Sequence, residues 1–268
     1  MNAESDIVIK VRRLSAGYNG RQILRDINFD VRRGEVFVII GGSGSGKSSL
    51  LKTIIGLIPP HAGEVWIEGE NMVTAEGEAR LRLLRRFGVV YQGGALFGSM
   101  TVGQNVRLPL EEFTDLPQAA KERVALDKLK MVGLDVASER MPSELSGGMQ
   151  KRAAIARALA LDSRILFMDE PSAGLDPVTS AGLDVLIKQL SHYFGITFLV
   201  VTHDLPSLNA IADHLIMLDG QSRTIIAEGT LADLRKNSNN GAVRRFFDRE
   251  PLPSPVNNGV NSYGHKDN

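Results

Sequence analysis

The sequence contains no cysteine, no excess of either charge and no apolar run of about 18 residues, the length that a membrane helix needs. The absence of cysteine excludes disulfides, thiolate catalysis and cysteine-ligated metal sites. Lys and Arg together number 31, as do Asp and Glu, so bulk charge does not favour a nucleic-acid binder. Residues 1–13 lack the apolar stretch of a signal peptide. We therefore expect a chain that does not cross a membrane and needs a partner for any role there.

Strand-sized apolar runs are present in two patterns. Runs 7–14 and 23–31 alternate apolar and polar residues and, together with 64–68, predict an antiparallel sheet with one face in water. Other runs are continuously apolar, which predicts buried strands of a doubly wound sheet that alternate with helices. These continuous runs are 36–40, 165–168 and 197–201. The fold class is therefore α/β, with a mixed or parallel central sheet and an N-terminal antiparallel β subdomain.

The rest of the chain divides into helical and irregular parts. A helix is expected from Lys47 to a stop at Pro59-Pro60. Residues 92–161 have helical spacing from Pro117 to Met131 and a further helix start near Ser146, so we expect an inserted helical subdomain at about 93–161. The whole predicted domain covers 7–249. Residues 250–268 are rich in Pro, Asn, Gly and Ser and predict a disordered tail.

A glycine-rich loop joins the first buried strand to its helix and matches the phosphate-binding pattern G-x-x-x-x-G-K-[ST]. Its glycines let successive backbone N–H groups converge on one anion, to which the helix N-terminus adds partial positive charge. Lys47 is expected to reach the β- and γ-phosphates, and the Ser48 hydroxyl to bind Mg²⁺. The candidate nucleotide-binding residues here are Gly41, Gly42, Ser43, Gly44, Ser45, Gly46, Lys47, Ser48 and Ser49.

Two carboxylates, Asp169 and Glu170, follow the apolar strand 165–168. Acidic residues at a strand end are often solvated caps. Beside a phosphate loop they predict the second half of a nucleotide site instead. Asp169 would hold Mg²⁺ through water, and Glu170 would polarise the attacking water.

The segment LSGGMQ, Leu145 to Gln150, followed by KRAAIARAL, resembles the signature of the ABC ATPases. A Ser-Gly-Gly alone would be an ordinary helix start capped by Ser146. The resemblance extends from about 7 to 247, because further family motifs occur in the family's order. They are Tyr18 as the adenine-stacking aromatic, Gln92 as the Q-loop glutamine, Ser172 to Asp176 as the D-loop, and His203 as the switch histidine.

This resemblance implies a P-loop NTPase that binds ATP and Mg²⁺ and hydrolyses ATP as a homodimer. Glu170, His203 and Lys47 would form the catalytic set, with His203 bonded to the γ-phosphate. Ser48, Gln92 and Asp169 would hold Mg²⁺. The family closes each nucleotide site with residues of the other subunit, which here correspond to Ser146, Gly147, Gly148, Gln150 and Asp176.

The segment GGALFGSMTVGQNVRLPL, residues 93–110, resembles that of ATPases serving MCE-type bacterial lipid transporters, the Mla group among them. The ending Ala242 to Asp248 fits the same group. The resemblance implies phospholipid transport at the cytoplasmic face of the inner membrane. The implied partners are an integral permease, an MCE-domain substrate-binding protein and a small regulatory subunit, with no nucleic acid. The alternatives are a small-solute importer of the amino-acid type and a soluble ABC ATPase that moves no substrate.

Two apolar groups have more than one interpretation. Phe97, Met100 and Val102 either line a groove for a permease helix or belong to the core. The apolar face of the last helix either docks a partner or packs on its own domain. That face consists of Val243, Phe246 and Phe247.

Overall fold

The computed structural model describes residues 6–18, 20–237 and 240–248. The strands, in chain order, are β1 (Ile7–Tyr18), β2 (Arg21–Arg32), β3 (Val36–Gly41), β4 (Ala62–Ile67), β5 (Glu70–Asn71), β6 (Phe87–Val90), β7 (Ile165–Asp169), β8 (Thr197–Val201), β9 (His214–Asp219) and β10 (Thr224–Gly229). The helices are α1 (Lys47–Ile54), α2 (Gly77–Leu84), α3 (Val102–Phe113), α4 (Gln118–Met131), α5 (Gly147–Ala158), α6 (Pro177–Phe194), α7 (Leu205–Ile211), α8 (Leu231–Asn237) and α9 (Gly241–Asp248). Two short 3₁₀ helices occupy Asp135–Ala137 and Pro142–Glu144.

The N-terminal strands form an antiparallel sheet in the order β2-β1-β4-β5. Its buried face packs over α1, whose Leu50, Leu51 and Ile54 lie in one apolar cluster with residues of this sheet and of the central sheet. The three expected runs are therefore strands of one sheet, and β1 and β2 extend beyond the alternating segments. The expected antiparallel subdomain is confirmed.

The central sheet has the order β10-β9-β3-β8-β7-β6. Its neighbouring strands are parallel except β10, which is antiparallel to β9 at one edge. Every residue of β3 and β8 is buried, which explains why these strands are continuously apolar. The expected α/β fold with a mixed central sheet is confirmed. In such sheets ligands bind beyond the carboxyl ends of the parallel strands.

The expected end of α1 at Pro59-Pro60 is wrong. The helix ends at Ile54, because Gly56 adopts a left-handed backbone with φ of 76°. The Leu57 N–H turns back to donate to the Lys52 carbonyl at 2.8 Å. A glycine just past the last turn therefore stops this helix before the prolines are reached.

Residues 92–161 contain α3, α4 and α5, in agreement with their expected helical character. The sequence pattern had not identified α3. It begins at a capping box, in which the Thr101 hydroxyl accepts from the Gln104 N–H and the Gln104 side chain accepts from the Thr101 N–H. The predicted limits of a separate helical subdomain at about 93–161 stay a prediction.

The apolar residues with two interpretations differ in how deeply the structure buries them. Val102 is fully buried in the main core, whereas Phe97 is 51% exposed. In α9, Val243 is fully buried, and Phe246 and Phe247 pack against the same core. The last helix therefore packs on its own domain. The tail predicted for 250–268 lies outside the described residues, and within them no helix is both long and apolar enough to cross a bilayer.

Candidate functional site

The candidate site lies where four parallel strands of the central sheet end side by side. The strand β3 ends at Gly41, and β7 ends at Asp169 directly opposite Val201 of β8. The strand β6 pairs with β7 through Val90 and Met168, so Gln92 leaves the sheet at the same edge. Parallel pairing thus brings together residues that are far apart in the sequence.

The loop between β3 and α1 has a shape that only glycine permits at two positions. A Cβ on Gly41 would lie 2.5 Å from the Leu218 carbonyl oxygen, and one on Gly46 would lie 2.8 Å from Leu24. Gly46 also has φ of 96°. Gly42, in contrast, has open space where a side chain would project. Contacts with β9 and with the N-terminal hairpin therefore leave no room for a larger residue at these two positions, which restricts the conformation of the loop.

The residues of this loop fit an anionic group. No side chain caps the N-terminus of α1, so its first N–H groups are free of such a partner. The Ser45 hydroxyl is buried and has no hydrogen-bond partner among the described residues. Lys47 Nζ curls over the loop and donates to the carbonyls of Gly41 and Gly42 at 2.8 and 3.0 Å. These features favour a phosphate held by backbone N–H groups and a lysine.

The charge of Lys47 is balanced by the two carboxylates opposite. Burial lowers the pKa of Lys47, and the charges of Glu170 and Asp169 oppose that shift. Burial raises the pKa of Asp169, the Ser48 hydrogen bond lowers it, and the neighbouring charge of Glu170 raises it again. The Ser48 hydroxyl donates to Asp169 Oδ1 at 3.0 Å. The serine and aspartate expected to share a cation are therefore already in contact.

Glu170 and His203 form the second pair at this edge. His203 Nδ1 lies 2.7 Å from Glu170 Oε1, and the glutamate side chain is only 13% exposed while the histidine is 69% exposed. Glu170 has a left-handed backbone with φ of 48°, held by its N–H donating to the Val201 carbonyl at 2.9 Å. Such strain in a non-glycine residue is typical of functional sites. The Glu170 carboxylate thus lies against His203, directly after the last residue of β7.

The Q-loop is held by the helix that carries the signature sequence. Gln92 is exposed, and its backbone carbonyl accepts from Nζ of Lys151, a lysine that is only 6% exposed. Arg157 of the same helix donates to the carbonyls of Gly94 and Ala95 at 2.9 and 2.7 Å. Sequence reasoning had not identified these two cations, because their partners lie about 60 residues away in the chain.

Tyr18 lies at the end of β1, opposite Arg21, and is 41% exposed. The hairpin that carries it contacts the phosphate loop, because Ile23 and Leu24 pack against Gly46. The ring has no aromatic partner among the described residues. A free aromatic face on this hairpin is compatible with stacking on a base.

The signature residues begin α5. The Ser146 hydroxyl accepts from the Met149 N–H at 3.3 Å and caps the helix. Gly148 is buried against α6, and a Cβ there would lie 2.3 Å from the Thr179 Cγ2. Among the described residues no hydrogen bond joins 146–148 to the phosphate loop. The structure therefore does not bring the two candidate anion sites of this chain together.

The two other residues expected to act across a dimer bond within their own chain. Gln150 donates to the carbonyls of Pro142 and Leu145 at 3.0 and 3.3 Å. Asp176 caps α6 by accepting from the N–H groups of Val178 and Thr179, and the Thr179 hydroxyl bond is the main cause of its lowered pKa.

A cavity of about 1230 Å³ extends from the Glu170–His203 pair along α6 and α7. Its wall contains a buried polar cluster that sequence reasoning also missed. In this cluster the Ser207 hydroxyl lies between the carboxylates of Asp184 and Asp204.

Comparison with known proteins places this geometry in context. A family model described as "ABC transporter" matches residues 24–173. The chain is 41% identical over 242 residues to the intermembrane phospholipid transport system ATP-binding protein MlaF of Escherichia coli strain K12, covering 90% of this chain and 88% of that one. It is 39% identical over 212 residues to a probable ribonucleotide transport ATP-binding protein, mkl, of Mycobacterium leprae, covering 79% of this chain and 61% of the relative.

Solved structures agree. The fold matches cbiO1 of Clostridium perfringens, part of the transporter complex cbiONQ, with a TM-score of 0.77 and 29% identity, covering 84% of this chain and 89% of that one. It also matches the dimeric post-hydrolysis structure of the ATP-binding cassette MJ0796 bound to ADP and Pi, with a TM-score of 0.74 and 32% identity, covering 83% and 98%.

Proposed function

The chain belongs to the ABC transporter family of ATPases, which bind and hydrolyse ATP, and we propose that it is the ATP-hydrolysing subunit of a bacterial phospholipid transport system. The observation that carries the catalytic part is the contact between His203 and Glu170 at 2.7 Å, beside a phosphate loop whose Ser48 already contacts Asp169. This arrangement unites a base, its orienting partner and an anion cradle at one sheet edge.

We assign ATP binding within one subunit to the phosphate loop and the residues around it. The loop N–H groups and Lys47 bind the phosphates, and Tyr18 stacks on the adenine. Mg²⁺ would neutralise charge on the phosphate oxygens, and Ser48, Gln92 and Asp169 would hold it, the last through water. Support comes from the Ser48–Asp169 contact and from the emergence of Gln92 at the same edge.

We assign the activation of the attacking water to Glu170, with His203 as its orienting partner. The glutamate carboxylate accepts a proton or a hydrogen bond from the water. His203 holds the carboxylate by donating from Nδ1, and a bond from Nε2 to the γ-phosphate requires a proton on that nitrogen as well. The contact with His203 would orient this carboxylate in advance and so limit the reorganisation that accompanies the reaction.

ABC cassettes dimerise and work with membrane permeases, and one of the matched solved structures is a dimer. We propose that two copies of this chain enclose two nucleotides, each touched by Ser146, Gly147 and Gly148 of the other copy, with Gln150 and Asp176 at the same interface. Support comes from the exposed residues Ser146 and Gly147 at the start of α5, which make no hydrogen bond to the chain's own phosphate loop among the described residues. The cycle of closing on ATP and opening after hydrolysis would drive the permease.

The phospholipid assignment is based on the relatives. MlaF proteins from Escherichia coli and from Haemophilus influenzae are named for intermembrane phospholipid transport and match over most of both chains. We propose the same cargo here, with an integral permease, an MCE-domain protein and a small regulatory subunit as partners. The site of action would be the cytoplasmic face of the inner membrane.

The catalytic assignment is tested with Glu170→Gln. This variant keeps the shape of the side chain but removes the base, so it should bind ATP with parental affinity, accumulate as an ATP-bound dimer and lose turnover by at least about a hundredfold. Glu78→Gln is the matched control, because Glu78 is an exposed residue of α2. Parental turnover by Glu170→Gln would refute the assignment.

The cargo assignment is tested by purifying the tagged chain with its membrane partners and identifying them by mass spectrometry. A permease together with an MCE-domain protein would support the proposal. A periplasmic solute-binding protein in their place would indicate a small-solute importer, and the absence of any membrane protein would indicate a soluble ATPase. Either of these two outcomes would refute phospholipid transport.

A further inference from the structure

A cluster of buried polar side chains links α6 to the segment that carries His203. Asp184 of α6 is 5% exposed, and Ser207 of α7 is 2% exposed. The Ser207 hydroxyl lies 2.9 Å from Asp184 Oδ2 and also 2.9 Å from Asp204 Oδ2. Ser180 completes the cluster, with its hydroxyl 3.4 Å from that of Ser207.

The Ser207 hydroxyl has too few protons to donate to both aspartates. A serine hydroxyl has one proton and can donate to only one carboxylate at a time. When both aspartates are ionised, one of them faces the Ser207 oxygen at 2.9 Å without a proton between them. A proton on Asp184 removes this conflict, because Asp184 then donates to Ser207 and Ser207 donates to Asp204.

The surroundings favour Asp184 as the site of this proton. Among the described residues no cation pairs with its carboxylate. Burial, and then the charge of Asp204, raise its pKa to about 6 against the opposing effect of the Ser207 bond.

The nearby charged groups do not supply that cation. Lys188, one turn further along α6, pairs with Asp213 at 2.7 Å. Arg152 of α5 donates to the carbonyls of Val132 and Gly182. The strand β8 contributes no titratable residue, and α9 contributes Phe246 to the cavity wall. The other titratable groups that line the cavity are Glu170, His192, Tyr193, His203, Asp204 and Asp213.

The protonation of Asp184 matters for the site because hydrogen bonds to the two neighbours of His203 in the chain hold that residue in place. On one side, Thr202 is fixed, since its N–H donates to the Ile39 carbonyl at 3.2 Å and its hydroxyl accepts from the Asp204 N–H at 3.0 Å. On the other side, the Asp204 carboxylate is held by Ser207. If Ser207 turns to an ionised Asp184, the Asp204 carboxylate loses this partner. Backbone bonds such as that from the Leu208 N–H to the Asp204 carbonyl at 2.9 Å remain, so the segment is held less firmly.

We propose that Asp184 is a positioning residue for ATP hydrolysis, which through Ser207 and Asp204 controls how firmly His203 is held against Glu170. Protonated Asp184 leaves the Ser207 proton to Asp204 and fixes the segment. Ionised Asp184 competes for that proton and loosens the segment. The inference depends on the proposed role of His203.

The test compares ATP turnover of Asp184→Asn and the parent across pH, because the asparagine is neutral at every pH and its amide donates to Ser207. The kcat of Asp184→Asn divided by that of the parent should be near one at about pH 5. It should rise to about five at about pH 8, which corresponds to the free energy of one net hydrogen bond. The KM for ATP should not differ. Taking the ratio cancels the titration of groups that both proteins share.

Two further variants separate this role from a general structural one. In a Ser207→Ala background the same Asp184→Asn change should leave a flat ratio, since the hydroxyl that transmits the effect is gone. Asp127→Asn removes an exposed carboxylate from α4 and should also give a flat ratio. A flat ratio for Asp184→Asn alone, or a rise that persists without Ser207, would overturn the proposal.

His203→Ala, measured in parallel, distinguishes a failure of the proposed role of His203 from a failure of the proposed role of Asp184. If it turns over at the parental rate, the proposed function of His203 fails. If it is inactive while the Asp184→Asn ratio is flat, only the present inference fails.

Discussion

The buried carboxylate of Asp184 should make the stability of this protein depend on pH in a direction that the structure fixes. Its pKa rises from the ordinary 3.8 to about 6. The native state therefore retains a proton that the unfolded chain releases between these values. The stability linked to Asp184 is complete below pH 3.8 and is lost as the pH rises through about 6. A shift of about 2 pH units corresponds to about 3 kcal/mol.

Asp184→Asn removes this cost, because the amide has no charge to desolvate and can still donate to Ser207. At about pH 7.5 the variant should be more stable than the parent by about 2–3 kcal/mol, and near pH 4 the two should agree. Urea unfolding at four or five pH values, followed by circular dichroism, measures the difference. Asp127→Asn serves as the control, because it also replaces one carboxylate by an amide but does so at the exposed surface of α4. A difference between Asp184→Asn and the parent that stays constant, or that shrinks as the pH rises, would refute the linkage.

Two other predictions concern the signature helix. Gly148→Ala places a methyl group 2.3 Å from the Thr179 Cγ2 and should destabilise the fold by about 1–3 kcal/mol. Adding Thr179→Ser removes the Thr179 methyl group and should restore the melting temperature, which calorimetry measures. If turnover returns together with stability, the glycine is required only for packing. Lys151→Met removes a buried charge and the hydrogen bond to the Gln92 carbonyl. The melting temperature should stay the same or rise, while ATP turnover should fall about fivefold. Unchanged turnover would contradict a role for Lys151 in holding the Q-loop.

The residues at the sheet edge were predictable because local sequence determines them. A continuously apolar strand followed by a glycine loop and Lys47 requires little tertiary information, and the same holds for a strand that ends in Asp169 and Glu170. Strand ends of one parallel sheet must meet, so the approach of Glu170 to His203 follows from the fold class. The roles assigned to these side chains stay predictions until turnover is measured.

Other features depend on interactions that no local pattern encodes. The end of α1 is an example, because glycine and proline are both helix-stop signals and the nearer one, Gly56, acts first. The left-handed backbone of Glu170 is another, since it depends on a bond to the neighbouring strand. Lys151 in α5 and Asp184 in α6 have partners on separate segments, so only the packing of the folded chain reveals them.

Two of the groups proposed to bind phosphate, Lys47 and Ser146, already have hydrogen-bond partners within a single chain, and the nature of these partners explains how both can still bind a phosphate. Lys47 donates to two neutral carbonyls, and the Ser146 hydroxyl accepts a weak 3.3 Å bond from Met149. An ionised phosphate is a stronger partner for a lysine than a neutral carbonyl. The Ser146 hydroxyl still has its own proton to donate to a phosphate, because it only accepts from Met149. The chain can therefore fold without nucleotide and still provide partners for the Lys47 ammonium. In the proposed dimer, one ATP would bind Lys47 of one copy and Ser146 of the other, so the contribution of Ser146 would be available only when two chains meet.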